Sequence, residues 1–271
     1  MMPHESALYF LANLALFGLV LFSWAHLFRR GPVTSKAHVV GLSLFLSCQG
    51  IALLWSGMRL EPWAFAHLYL STMLFTETVV LLSILVARLT RQTSVMPIVL
   101  ALAFAVHSYA LLLVRPPTIE TLQISPFARS PWYLLHLLAA LAAFGAYACA
   151  GAGAIGYLVA SLAHRRKSLS DWPSTEDCQT YTQGALAISF PLLSGALIAG
   201  ALWGQLAWGS YWSWRQDQVW LLVVWLILTM SLHARGMRNW QGKPLALLTL
   251  LGLILAVLAL PALAHGLVSM G

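Results

Sequence analysis

The fold is decided by long uncharged stretches, of which residues 133–162, YLLHLLAALAAFGAYACAGAGAIGYLVASL, are the clearest. A membrane-spanning helix needs roughly 20 mostly apolar residues, and this stretch is longer than that without one Lys, Arg, Asp or Glu. Seven further spans are predicted at about 7–28, 38–57, 66–87, 95–114, 183–203, 217–234 and 244–263. The chain is therefore expected to be an all-α polytopic membrane protein of about eight transmembrane helices, with residues 1–271 forming a single domain.

The amino-acid composition supports this fold class. Apolar residues make up 60% of the 271 residues and charged residues only 8%. Soluble domains carry about 25% charged residues. A chain this poor in charge cannot cover itself with a water-facing surface, so ordinary soluble enzymes, nucleic-acid-binding modules and disordered proteins are excluded.

The distribution of basic residues predicts the orientation in the membrane. The spans place eleven of the 15 lysines and arginines on one side and four on the other. The larger group comprises Arg29, Arg30, Lys36, Arg88, Arg91, Arg165, Arg166, Lys167, Arg235, Arg238 and Lys243, and the smaller comprises Arg59, Arg115, Arg129 and Arg215. Loops rich in Lys and Arg stay in the cytoplasm, so both termini are predicted to lie outside. The net charge of +7 then signals topology rather than a nucleic-acid partner, and in a bacterium the chain is expected in the inner (cytoplasmic) membrane.

One predicted outer segment, residues 203–220 with the sequence WGQLAWGSYWSWRQDQVW, departs from the rest. It contains five of the chain's 12 tryptophans, namely Trp203, Trp208, Trp212, Trp214 and Trp220. Tryptophan collects at membrane interfaces because its ring is apolar and its N–H is polar. Five tryptophans around a Gly-Ser turn equally suit a continuous aromatic platform for a large flat apolar ligand. Both interpretations are open at this point.

The string WGSYWSW at 208–214, followed by VWLLVVWLILTMSLHARG at 219–236, resembles the tryptophan-rich signature of haem-handling membrane proteins. The resemblance is closest to the CcsA (ResC-like) subunit of the system II cytochrome c assembly machinery. Further matches are SPWYLLH at 130–136, similar to the family's S-x-W-L-x-x-H, the Leu-His-x-Arg pattern at 232–235, and AHG at 264–266. The resemblance covers about 130–271 well and the first half loosely.

The resemblance implies a protein that moves haem to the outer face and presents it on the tryptophan-rich segment for attachment to apocytochrome c. The haem is expected to be b-type and transiently held. A CcsB-like membrane partner is implied, and the spans contact membrane lipid. This chain offers no catalytic base or nucleophile, so it is expected to be at most part of a cytochrome c synthase complex.

The sequence departs from the family directly after W-S-W, where family members read D-P-K-E-x-W. Here residues 215–220 read Arg-Gln-Asp-Gln-Val-Trp, so an arginine stands in place of the acid. Because guanidinium groups suit carboxylates, Arg215 is a candidate contact for a haem propionate. Arg59 and Arg129 are alternatives that are equally well explained as interfacial anchors.

Three histidines match the family by position. His136 begins span five and His265 follows span eight, both at the outer face, so the two imidazoles are predicted to flank a haem that lies on the indoles. His233 lies 13 residues after Trp220, roughly 20 Å along a helix, and is predicted to mark a second, inner site. The simpler explanations are interfacial polar residues for the outer pair and a residue that snorkels beside Arg235 for His233.

Other ionisable residues leave further alternatives. His26 and His38 lie at the depth of the inner histidine and are candidate partners for it within the chain, whereas the resemblance implies a partner from another subunit. His67 is an additional outer candidate. His107 in span four is predicted to face Glu77 in span three, the only carboxylate deep in a span, and the alternative is a buried protonated Glu77.

Histidines at two depths also suit a second function class, a membrane cytochrome b-type subunit that exchanges electrons with quinol. Such carriers usually pair their ligands inside the spans, and only His107 is clearly in the middle of a span here. The haem-handling assembly protein is therefore favoured. A haem-free transporter is a third class, which no broken helix pair or internal repeat supports.

Overall fold

The computed structural model describes residues 3–28, 36–118, 126–166, 172–237 and 240–268, and within them the side chains of residues 6–27, 36–61, 63–118, 126–162, 172–237 and 240–258. All regular structure in these ranges is helical. The α-helices are α1 (Pro3–Phe28), α2 (Lys36–Leu60), α3 (Leu68–Thr90), α4 (Met96–Leu113), α5 (Pro131–Arg166), α6 (Thr175–Trp208), α7 (Gln216–Gly236) and α8 (Lys243–Val268). Short 3-10 helices lie at Pro62–Ala66 and Pro126–Ala128.

The predicted membrane fold is confirmed. Within the described residues, seven helices are long and apolar enough to cross a membrane, and Lys243–Leu258 of α8 is a shorter apolar helix. This agrees with an expected count of about eight spans. The placement of both termini outside stays a prediction. The name tryptophan end is used below for the end of the bundle that carries residues 61–67, 114–118, 126–130 and 209–215.

Helix α6 is longer at both ends than the predicted span of 183–203. Its first turn is capped by Ser174, whose side chain accepts a hydrogen bond from the backbone N–H of Asp177 at 3.0 Å. Its last turn is closed by Gly209, which has a φ of 71° and donates its N–H to the carbonyl of Gln205. A left-handed glycine is a common helix stop, so the helix continues through Trp208.

Helices α5 and α6 form a closely packed antiparallel pair. At Gly153 of α5, an added Cβ would meet the Thr182 hydroxyl and the Cys178 carbonyl of α6. Farther towards the tryptophan end, the Ser189 hydroxyl donates to the Ala143 carbonyl at 2.9 Å. Small residues let the two backbones approach, as is usual for helices in membranes, and the ends of this rigid pair position the site described below.

A buried polar network joins α1, α2, α3 and α4. The Asn13 side-chain amide donates to Nδ1 of His107 at 3.0 Å, so the neutral ring carries its proton on Nε2. This Nε2–H then donates to Oε1 of Gln49 at 3.0 Å, and the Gln49 amide donates to the Met73 carbonyl at 2.9 Å. Each link satisfies a polar group that has no water to bond in the membrane interior, so the network locks four helices together.

The predicted pairing of His107 with Glu77 is wrong. Both ring nitrogens of His107 are already engaged, by Asn13 and Gln49. Glu77 instead lies beside Gly50 of α2, with Oε1 within 3.7 Å of where a Cβ would stand, and its Oε2 is buried without a hydrogen-bond partner among the described residues. Amides are better partners than a carboxylate for a neutral imidazole buried in an apolar region, because no charge has to be desolvated.

Replacing either partner of the His107–Gln49 hydrogen bond is expected to destabilise the bundle. His107→Leu leaves the Gln49 carbonyl without a partner, and Gln49→Leu leaves the His107 Nε2–H without one, each at a cost of about 1–3 kcal/mol. The double variant removes both groups and is expected to cost less than the sum of the single variants. Thermal unfolding in detergent measures this, with Tyr109→Phe as a control because Tyr109 is 51% exposed. Additive effects of the two substitutions would contradict the network.

Candidate functional site

The tryptophan-rich segment is mostly helical rather than one loop. Trp203 and Trp208 lie in the last turns of α6, and Trp220 lies in the second turn of α7. Only Trp212 and Trp214 belong to the connection, residues 209–215. The predicted outer loop at 203–220 is therefore corrected to a seven-residue turn between two helices, because Gly209 stops α6 later than expected.

A cleft opens between α5, α6 and α7 at the tryptophan end. Its empty space, including the open mouth, is about 430 Å³. The cleft is lined by His136, Leu197, Gly200, Ala201, Trp203, Trp208, Tyr211, Trp212, Asp217, Gln218 and Leu221. Ligand sites usually combine apolar walls with a few polar groups, which is the composition seen here.

His136 brings an imidazole from α5 into this cleft. Its Nδ1 lies 2.8 Å from the Ala196 carbonyl oxygen of α6 and must donate, since a carbonyl only accepts. The neutral ring then carries a free lone pair on Nε2, which has no hydrogen-bond partner among the described residues. Gly200 makes the approach possible, because an added Cβ there would lie 2.7 Å from Nδ1. The arrangement is typical of a metal-binding histidine whose other nitrogen is held by a carbonyl.

Trp203 packs beside the His136 imidazole and is buried, so it does not form an open platform. Its side chain is only 6% exposed, and its indole N–H donates to the Phe127 carbonyl at 2.7 Å. The indole packs against Tyr133 at 4.7 Å between ring centroids and lies nearly parallel to the His136 ring, at 22° and 6.4 Å. Three of the five tryptophans, Trp203, Trp208 and Trp212, line the cleft, and the expected continuous platform is smaller than predicted.

The remaining two tryptophans lie away from the cleft lining. Trp214 is 74% exposed, has a φ of 55° and contacts Trp212 edge to face at 5.7 Å. Trp220 is half-buried on α7. The turn that carries Trp212 and Trp214 is held by Gln218, whose side chain accepts the backbone N–H of Ser213 at 2.9 Å.

Arg215 is engaged within the turn. Its guanidinium lies 4.4 Å from the centroid of the Trp208 ring, and its Nε lies 3.2 Å from Oδ1 of Asp217 in the first turn of α7. Sequence reasoning missed Asp217 and Gln218 as cleft residues, although their place after W-S-W was visible. It also missed Gly200, for which an apolar stretch of sequence offers no signal.

His265 lies within the range of α8, but the described side chains of that helix end at Leu258. Its predicted pairing with His136 therefore falls outside the described residues and stays a prediction. Helix α8 packs against α5 and α7, the two helices that carry His136 and Asp217.

His233 lies near the opposite end of α7, with an exposed ring. Its Nδ1 lies 3.2 Å from the Thr229 carbonyl oxygen and donates to it, which again leaves a lone pair on Nε2. The structure does not bring its candidate partners within the chain to it. His26 and His38 lie on α1 and α2 around Phe22, whereas α7 packs mainly against α6 and α8.

His67 has a structural part at the start of α3. Its Nδ1 accepts the backbone N–H of Tyr69 at 3.2 Å, so the side chain caps the helix. Partial burial lowers the pKa of His67 because the charged form is poorly solvated there. A neutral ring that accepts at Nδ1 carries its proton on Nε2, and this disfavours His67 as a metal ligand.

Comparison with known proteins finds relatives along most of the chain. The family model described as cytochrome C assembly protein matches residues 65–262, which include His136, the cleft and His233. The cytochrome c biogenesis protein CcsA of Marchantia polymorpha is 22% identical over 262 residues, covering 82% of this chain and 81% of the relative. CcsA of Guillardia theta is 28% identical over 233 residues, covering 78% and 77%.

A shorter region is more similar still. CcsA of Synechococcus elongatus is 44% identical over 94 residues, which cover 35% of this chain and 27% of that protein. Since the family model spans well over half of the chain, the relationship is not confined to one motif. The chain belongs to the cytochrome c assembly protein family and is a multi-pass membrane protein of cytochrome c biogenesis.

Proposed function

We propose that this protein holds haem in the cleft at the tryptophan end and presents it there for attachment to apocytochrome c. The distribution of Lys and Arg supports an outward-facing cleft, because the tryptophan end carries few basic residues. Haem is the cargo in this proposal, b-type and transiently held. Any synthase activity would belong to a complex with a CcsB-like membrane subunit.

The observation that carries the proposal is the hydrogen bonding of His136. A haem ligand must offer an unprotonated ring nitrogen, and the Nδ1–H bond to Ala196 leaves Nε2 in that state beside the cleft. Trp208 and Trp212 supply aromatic wall, and Trp203 holds the imidazole in place. His265 is the proposed second ligand.

The surroundings of His136 also fit a large, largely apolar cargo. The cleft is open at its mouth and combines indole surfaces with two polar side chains, Asp217 and Gln218. The His136 side chain is half-buried at this cleft, so a ligand can reach it from the open mouth. Trp214 and Trp220 stay candidates for wider contacts with haem or with membrane lipid.

His233 supports a second, inner stage of the same task. Its ring is exposed on the surface of α7, so a second ligand would have to approach from outside the described bundle. A histidine of a CcsB-like subunit fits that requirement. In this proposal haem is received near the cytoplasm at His233 and reaches the outer cleft afterwards.

The alternative of a cytochrome b-type subunit that exchanges electrons with quinol receives less support. It relied on His107 as the histidine in the middle of a span, and both nitrogens of that ring are bonded to amide groups. An axial ligand needs one nitrogen free for iron.

Purified protein is expected to bind haemin with a Soret band, and His136→Ala or His265→Ala is expected to weaken binding because each removes an iron ligand. In His136→Gly, added imidazole is expected to restore part of the band. His67→Ala serves as the control, since that ring caps a helix. The measurement is a haemin titration of detergent-solubilised protein followed by absorbance. A wild-type chain that neither carries haem nor binds haemin would contradict the proposal.

Gly200→Ala is expected to lower haemin affinity about tenfold or more, which corresponds to a loss of about 1.4 kcal/mol. The added methyl group would lie 2.7 Å from His136 Nδ1 and push the ring away from the Ala196 carbonyl. Gly195→Ala on the same helix is the matched control, because a Cβ there meets nothing within 4 Å. The same titration measures both, and equal affinities in the two variants would separate haem binding from the position of His136.

His233→Ala is expected to leave haemin binding at the outer cleft unchanged and to reduce the yield of c-type cytochrome in cells. The reason is that His233 lies on the far end of α7 from the cleft. Met230→Ala, an exposed position on the same helix, is the control. Haem staining of cytochrome c in membranes measures the yield, and an unchanged yield in His233→Ala would argue against the inner stage.

A further inference from the structure

The two charges that follow W-S-W form an ion pair across the first turn of α7. Arg215 Nε lies 3.2 Å from Asp217 Oδ1, and both side chains are largely buried, with exposures of 28% and 21%. The pair joins a base at position 215 to an acid two positions later, so the two charges compensate each other within one turn.

Contacts connect this ion pair to the imidazole at the cleft. The Arg215 guanidinium lies 4.4 Å from the Trp208 ring centroid, and Trp208 meets Trp203 edge to face at 4.8 Å. Trp203 in turn lies nearly parallel to His136. A guanidinium fixed by a carboxylate is a better partner for an indole face than a mobile one, because less side-chain freedom is lost.

Asp217 also contacts the cleft directly. It lines the cleft together with His136 and Trp208, and it lies in the first turn of α7, where a negative charge is favoured by the helix dipole. Arg215 is the residue before that turn and makes no side-chain cap with it. Its side chain is used for Trp208 and Asp217 instead.

We propose that Arg215 and Asp217 are positioning residues, which together fix the Trp208 wall of the cleft and through it the place of the haem. The inference rests on the proposed function, because it concerns the affinity of the cleft for haem. It assigns Arg215 to the protein's own carboxylate rather than to a haem propionate. The order of the two charges is then free to reverse, provided that both are present.

The test is a charge-exchange series titrated with haemin in detergent. Arg215→Asp alone places two carboxylates together and removes the guanidinium from Trp208, so affinity is expected to fall about tenfold. Asp217→Lys alone is expected to lower haemin affinity by a similar factor. The double variant Arg215→Asp with Asp217→Lys exchanges the two charges, restores a compensated pair and is expected to recover most of the affinity. Gln216→Ala, an exposed position between the two, is the control.

Thermal unfolding of the same variants separates positioning from folding. Arg215→Asp leaves Asp217 without its cation, but aspartate is a preferred helix N-cap and Arg215 provides no side-chain cap, so the loss of stability is expected to be small beside the loss of haemin affinity. Haemin affinity that falls only in proportion to stability would indicate a merely structural role and overturn the inference. Affinity that tracks Arg215 alone, with no recovery in the double variant, would favour a propionate contact and also overturn it. A wild-type chain that binds no haemin would instead refute the proposed function.

Discussion

The candidate site depends on one hydrogen bond, from His136 Nδ1–H to the carbonyl oxygen of Ala196. This bond selects the ring tautomer, and the tautomer decides which nitrogen can meet a ligand. It exists only because α5 and α6 lie close together and because Gly200 has no side chain to keep the imidazole away. The close packing of α5 and α6 thus determines which nitrogen of His136 is free to bind a ligand.

The span pattern and the site's main residues were predictable, and the close contacts were not. The length of an apolar stretch is a local property of the sequence, and it was enough to predict about eight helices. It also predicted which helix ends carry His136 and Trp208. The extension of α6 to Trp208 depends on a left-handed Gly209, and the value of Gly200 depends on a ring that arrives from 64 positions earlier in the chain. Neither is visible in an apolar stretch, because both are set by tertiary approach.

Depth in the membrane was a poorer guide to the histidines than their hydrogen bonds. His107 has both nitrogens bonded to amides, and His67 accepts a helix N–H at Nδ1, so neither offers a free lone pair on Nε2 when neutral. His136 and His233 each donate Nδ1–H to a carbonyl and do offer one. These two are also the described histidines that lie in family-like motifs. Among His67, His107, His136 and His233, motif and tautomer therefore select the same pair.

The divergent residues after W-S-W illustrate why a motif is better compared by its contacts than by its letters. Taken one position at a time, an arginine in place of an acid is a reversal of charge and suggests lost function. In the structure, Arg215 pairs with Asp217 two positions later, so the two charges compensate each other. What must be preserved at a half-buried ion pair is mutual compensation, since an unpaired charge there would be costly to desolvate. A compensated pair at this place keeps the Arg215 guanidinium beside the Trp208 ring that lines the cleft.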